Sequence, residues 1–315
     1  MRFRQMDGLR AAAALAVVMI HASAGQTSDA ALVWNQLSRF AVPLFLVLTG
    51  FGHAGALAEG KFERQGLKAV RRRLSRVLIP YFIWSAAYLA LDFVLGTPHE
   101  HPLRDLLTGG AYVHLYYIFV LVQFILLSDL FCAAMHRHPA CTMVLSATVT
   151  FAMQGLIACA VNGYLTFYSP LPPARYFLSW VIFYTGGIWL RLHDGWQRCP
   201  LRLSLPLWLL SAACVLLTAH FFPSLAPSSL RPDLVLYVFT TGLLLWTLCS
   251  RTQTLPAPVR FIARHSFGLY LVHPMVLRLS QMYLLGLIGG LAGAAALSLL
   301  PFGALLGGAR RKTRS

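Results

Sequence analysis

Ten stretches of about 20 largely apolar residues follow one another along the chain, near positions 10-28, 37-58, 77-96, 112-132, 141-160, 175-191, 203-221, 233-250, 267-286 and 288-307. Only short polar or Pro/Gly-rich breaks separate them. About 20 apolar residues is the length an α-helix needs to cross the hydrocarbon core of a bilayer. In lipid every backbone N–H and C=O must find its partner within the protein, so a lone stretch of this kind folds as helix. The expectation is an all-α, polytopic integral membrane protein with about ten transmembrane helices. These stretches use most of the 315 residues. That leaves room for a single transmembrane domain over 1-315, ending in a short basic tail at 308-315, and no loop is long enough for a second domain. Chemistry must then sit within the helices or at their ends. No internal repeat is visible, so the inverted-repeat signature of many secondary transporters is missing.

Composition agrees. The chain is 57% hydrophobic and 11% charged, against about 25% charged in soluble chains, which excludes a soluble enzyme. Its net charge of +16 comes from 26 Lys and Arg against 10 Asp and Glu. These cations do not form a stripe interleaved with aromatics, as a nucleic-acid surface would. They fall between the apolar runs, 21 on one side and five on the other (Arg39, Arg104, Arg175, Arg231 and Arg278). Because Lys and Arg resist translocation, this partition puts both termini in the cytoplasm. Ala22-Ser23-Ala24 imitates a signal-peptide cleavage site, but Arg10 and His21 in the preceding apolar run are poor signal-peptide chemistry. The six cysteines contain no Cys-x-x-Cys and read as free thiols. No P-loop, zinc-protease, nucleophile-elbow or dinucleotide motif is present.

Ionisable residues inside membrane segments are the natural candidates for function. Arg10 and His21 are 11 residues apart, close to three helical turns, so they share a face about 16 Å apart along the axis. A cation at the entrance and an imidazole deeper in suit an anionic donor entering from the cytoplasm. The bland alternative has Arg10 snorkelling to lipid phosphates and His21 bonding a neighbouring helix. The basic run Arg71-Arg72-Arg73-Leu74-Ser75-Arg76 puts Arg73 and Arg76 on one face, able to grip phosphate, or it only sets topology. His114-Leu115-Tyr116-Tyr117 opens the fourth stretch with Gln123 further in, where aromatics also serve as interface belt. Tyr270 and His273, at i and i+3, precede Pro274, and His273 has the alternative role of bonding a carbonyl freed by the proline. Asp92 and Arg39 are further candidates, with solvated helix ends as the other reading.

Five segments together resemble the membrane-bound acyltransferase 3 family of bacterial O-acyltransferases. Met6-Asp7-Gly8-Leu9-Arg10 with His21 is similar to its opening motif and Arg-x10-His pair. Phe40 to Phe45 through Thr49-Gly50-Phe51 is similar to its second helix, with Thr49 where Ser is commoner. Arg73-x-x-Arg76 with Leu78 to Tyr81, His114 to Gln123, and Ser266 to Pro274 are similar to its later signatures. The chain resembles the short, membrane-only members. The resemblance implies a multi-pass protein of the bacterial cytoplasmic (inner) membrane. It further implies transfer of an acyl group, most often acetyl from acetyl-CoA, to a hydroxyl of a cell-envelope polysaccharide or glycolipid. His21 would act as general base, with Arg10 as the second catalytic residue on the same helix face at the cytoplasmic mouth. Arg72, Arg73 and Arg76 would hold the CoA phosphates, and His114, Tyr117, His273 and Arg39 would line the acceptor side. Acyl-CoA is a co-substrate, and no permanently bound cofactor or metal is expected. The rival class is a carrier that flips or exports a glycan or lipid intermediate without chemistry, using the same residues as a path.

Overall fold

The computed structural model describes residues 3–60, 66–166, 168–194, 196, 199–280 and 282–309, and among them it contains helices and no strand. The helices are α1 (Arg4–Ala22), α2 (Asp29–Ser38), α3 (Ala41–His53), α4 (Gly55–Ala58), α5 (Leu67–Val94), α6 (Pro102–Thr108), α7 (Tyr116–Leu126), α8 (Ser128–Arg137), α9 (Pro139–Val161), α10 (Val181–Leu192), α11 (Leu201–Phe221), α12 (Pro232–Ser250), α13 (Ala257–Ser280) and α14 (Tyr283–Leu299). From position 310 the basic tail lies outside the described residues.

Among the described residues five segments are long and apolar enough to cross a membrane: Asp29–His53, Leu67–Val94, Pro139–Val161, Leu201–Phe221 and Pro232–Ser250. The pair α7 and α8, bent by 57°, makes a sixth if taken as one span. Phe177–Leu192 and Tyr283–Leu299 are apolar but shorter. Helices α1 and α13 have the length, but Arg4, Asp7 and Arg10 in one and Arg260, Arg264 and Arg278 in the other dilute their apolarity. The second apolar run is broken after Ser38, between α2 and α3, and Ser28 caps the other end of α2 by accepting a hydrogen bond from the Ala31 N–H. Likewise α13 begins ten residues before the apolar run that flagged it, and it ends at Ser280, short of the expected 286.

The chain forms two compact units. The first comprises 1–63, 130–169 and 178–264. Its tightest packing is between α3 and α10, where Gly50 and Gly187 let the backbones meet. A Cβ at Gly50 would collide with the Tyr184 carbonyl oxygen, and one at Gly187 with that of Val47. Helices α11 and α12 pack through Ala212, Val215, Leu234 and Tyr237, with Ser211 and Thr240 hydroxyls hydrogen-bonded at 2.6 Å. Helix α1 lies against α2, α3 and α12.

The second unit comprises 64–129, 170–177 and 265–315. Helix α5 packs on α6 and α7, and its Trp84 indole N–H donates to the Leu306 carbonyl at 3.0 Å. Tyr81 donates to the Leu106 carbonyl and accepts from the Gly109 N–H at 2.9 Å, pinning the end of α6. Gln123 donates to the Arg175 carbonyl at 2.7 Å and accepts from the Phe177 N–H at 3.1 Å, tying the 170–177 segment to α7.

Candidate active site

In the first unit Arg10 and His21 lie on one face of α1, each half-buried, in a helix whose Leu9, Ala13, Val17 and Val18 are buried. Arg10 forms an ion pair with Asp7 at 3.2 Å. It lines a cavity of about 420 Å³ with Phe3, Met6, Phe51, Gly52, Gly55, Ala56, Glu59 and Arg191. At the other end of α1, His21 lies within electrostatic range of Arg39. Arg39 is buried, so the reading of it as a solvated helix end does not hold.

A side-chain network fixes that end of α1. Asn35 donates to the Ile20 carbonyl at 3.1 Å and to Ser23 Oγ at 2.9 Å, and Ser23 in turn donates to the Met19 carbonyl at 2.6 Å. The Arg39 guanidinium donates to Asn35 Oδ1 and also reaches the Pro227 carbonyl. Beyond it, fully buried Arg231 pairs with Asp233 through two hydrogen bonds of 2.9 and 3.2 Å and donates to Gln36 Oε1 at 2.9 Å. A buried guanidinium is tolerable only when its donors are satisfied in this way. Asn35, Gln36, Arg231 and Arg191 carry no local sequence signal. Only the approach of distant helices gives them their surroundings.

In the second unit His114, Tyr117 and His273 come together. His114 is 3% exposed. It sits among Tyr88, Tyr112, Tyr270 and His273, with ring centroids 5.5, 5.7, 4.9 and 5.7 Å away, and Tyr117 packs on Tyr270 at 5.8 Å. The Tyr270 hydroxyl donates to the His114 carbonyl, and that of Tyr88 to the Leu271 carbonyl at 2.8 Å. His273 Nδ1 lies 2.9 Å from the Leu269 carbonyl, one residue before the carbonyl that Pro274 leaves without its helical donor. A carbonyl only accepts, so Nδ1 carries a proton and donates here.

Arg72 lines an open groove of about 600 Å³ with Gly66, Lys68, Ala69, Arg71 and Ser75. Arg73 and Arg76 are not among its lining residues. Near the far end of α5, His99 bridges two carboxylates, with Nδ1 2.7 Å from Asp105 and Nε2 3.2 Å from Asp92, and Arg278 also pairs with Asp92. The hydrogen bond to Asp105, reinforced by that to Asp92, holds the His99 pKa above its ordinary value.

Among the described residues no cluster of three or more His, Cys, Asp or Glu is placed to hold a metal ion. A helical, multi-pass membrane protein with basic and imidazole side chains along its helices fits a membrane-embedded transferase. The sequence profile of the acyltransferase 3 family, an acyltransferase domain, matches residues 3–307, and the chain belongs to this family of membrane acyltransferases. No curated protein and no solved structure matches it.

Proposed function

We propose that the protein transfers an acyl group, acetyl from acetyl-CoA, to a hydroxyl of a cell-envelope polysaccharide or glycolipid, working in the bacterial inner membrane with both termini in the cytoplasm. The observation that carries this reading is the placement on one face of α1 of Arg10, beside an open cavity, and His21, within electrostatic range of the fixed Arg39 cation.

In this reading His21 takes the proton of the acceptor hydroxyl as its oxygen attacks the thioester carbonyl. The tetrahedral adduct collapses, the C–S bond breaks, and the imidazolium returns the proton to the departing CoA sulfur, leaving an ester and free CoA. Arg39, held by Asn35, stabilises negative charge developing on oxygen. Arg10 in the first unit attracts the donor's phosphates, and Arg72, Arg73 and Arg76 give the second unit a phosphate-attracting surface of its own. His114, Tyr117 and His273 hold the acceptor, since aromatic faces and a fixed imidazole suit a sugar ring and its hydroxyls.

The test is release of CoA thiol from acetyl-CoA by protein in nanodiscs supplied with envelope glycan. His21→Ala should abolish release while the protein remains folded. If the variant still yields glycan with the same O-acyl content, the protein is a carrier and the reading fails.

A further inference from the structure

The cavity beside Arg10 has a second cation, Arg191 near the C-terminal end of α10. Its guanidinium carbon lies 4.6 Å from the Phe3 ring centroid and 5.4 Å from that of Phe51. Phe3 and Phe51 meet edge to face at 5.5 Å, and both abut Trp246. Stacking on rings occupies the guanidinium's face and leaves its in-plane N–H edge for an acceptor. Among the described residues Arg191 makes no hydrogen bond or ion pair, although Asp7 pairs with Arg10 nearby. The lining also holds Gly52, Gly55, Ala56 and Glu59, and a Cβ built at Gly52 or Gly55 meets nothing within 4 Å. Close packing at Gly50 and Gly187 brings α10 against α3 and so sets Arg191 beside Phe51.

We propose that this cavity seats the phosphates of the acyl donor, with Arg191 as a second anchoring cation beside Arg10. The proposal rests on the acyl-CoA reading above and adds to it a binding residue on a different helix. Two guanidiniums in one cavity, which together outnumber its Glu59 carboxylate, suit a polyphosphate better than a single carboxylate, because each can give two parallel hydrogen bonds.

The experiment measures binding of CoA and of pantetheine, which lacks the phosphates, to full-length protein in phosphatidylcholine nanodiscs. CoA should bind well and pantetheine poorly. Arg191→Gln should weaken CoA roughly tenfold or more, as loss of a charge-assisted contact does, without changing pantetheine binding or the melting temperature. It should raise KM for acetyl-CoA with kcat retained at saturation, and Arg191→Lys should restore part of the affinity. Gly55→Leu, which fills the cavity and removes no charge, should also weaken CoA. If Arg191→Gln binds CoA as the wild type does, the proposal is overturned and the acyl-CoA reading stands. If the wild type binds no CoA, both fall. If the variant's defect appears only in nanodiscs containing phosphatidylglycerol, the cavity holds a lipid headgroup and the proposal is again overturned.

Discussion

Arg39 donates twice to Asn35, with Nε and Nη2 lying 3.1 and 2.7 Å from the same Oδ1 atom. Asn35 in turn holds the Ile20 carbonyl and Ser23 on α1, so one amide fixes both the cation and the helix segment that carries His21. Asn35→Leu should leave the Arg39 guanidinium short of an acceptor, at a cost of about 1–3 kcal/mol. Turnover should fall further than stability does, with KM for the acyl donor little changed. Steady-state kinetics alongside a melting curve check this, and equal losses in kcat and donor affinity would count against a positioning role.

Arg231 and Asp233 form a buried ion pair that also anchors Gln36. Removing one partner strands a charge, so Arg231→Met should destabilise the protein by about 3–5 kcal/mol. Adding Asp233→Leu should recover much of that loss, because the second charge then goes too. A double-mutant cycle in detergent unfolding reads the coupling, and additive losses would contradict it.

Close approach of α3 and α10 depends on Gly187, where a methyl group meets the Val47 carbonyl. Gly187→Ala should cost about 1–3 kcal/mol as an overpacked contact. By moving α10 it should also weaken acyl-donor binding. A variant of wild-type stability would show that the helices separate more easily than their spacing implies.

His99 gives stability a pH dependence of defined sign. Its pKa is raised in the folded state, chiefly by Asp105. The protonated bridge to Asp92 and Asp105 therefore contributes fully below the ordinary value of about 6.5. That contribution fades as pH rises through the higher folded value. Thermal melts across this window should show a decline in the wild type that is flattened in His99→Gln. Parallel curves would exclude the bridge as its source.

The helices were legible because apolar runs of membrane length leave the backbone little choice, and the spacing of Arg10 and His21 was legible because it lies within one helix. The break after Ser38 was not, since apolarity runs on through Phe40 to Phe51 while the turn is set by Arg39 reaching Asn35 and the Pro227 carbonyl. The start of α13 was hidden because Arg260 and Arg264 interrupt the hydropathy without interrupting the helix. Arg191 read as a topology charge, and its place over Phe3 and Phe51 arises from the packing of α1, α3 and α10. The basic run on α5 was visible as charge, but which of its members line a groove, Arg71 and Arg72 with Lys68 and Ser75, is visible only in the fold.

The central claim is that His21 performs proton transfer in an acyl-transfer reaction. It is tested most directly by single-turnover release of CoA thiol from acetyl-CoA in nanodiscs with envelope glycan, comparing wild type with His21→Gln. The wild type should give a burst of thiol matched by ester on the glycan. His21→Gln should lose at least about 100-fold, the scale of general-base catalysis, with CoA binding intact. Equal ester formation by the variant would contradict this proton-transfer role.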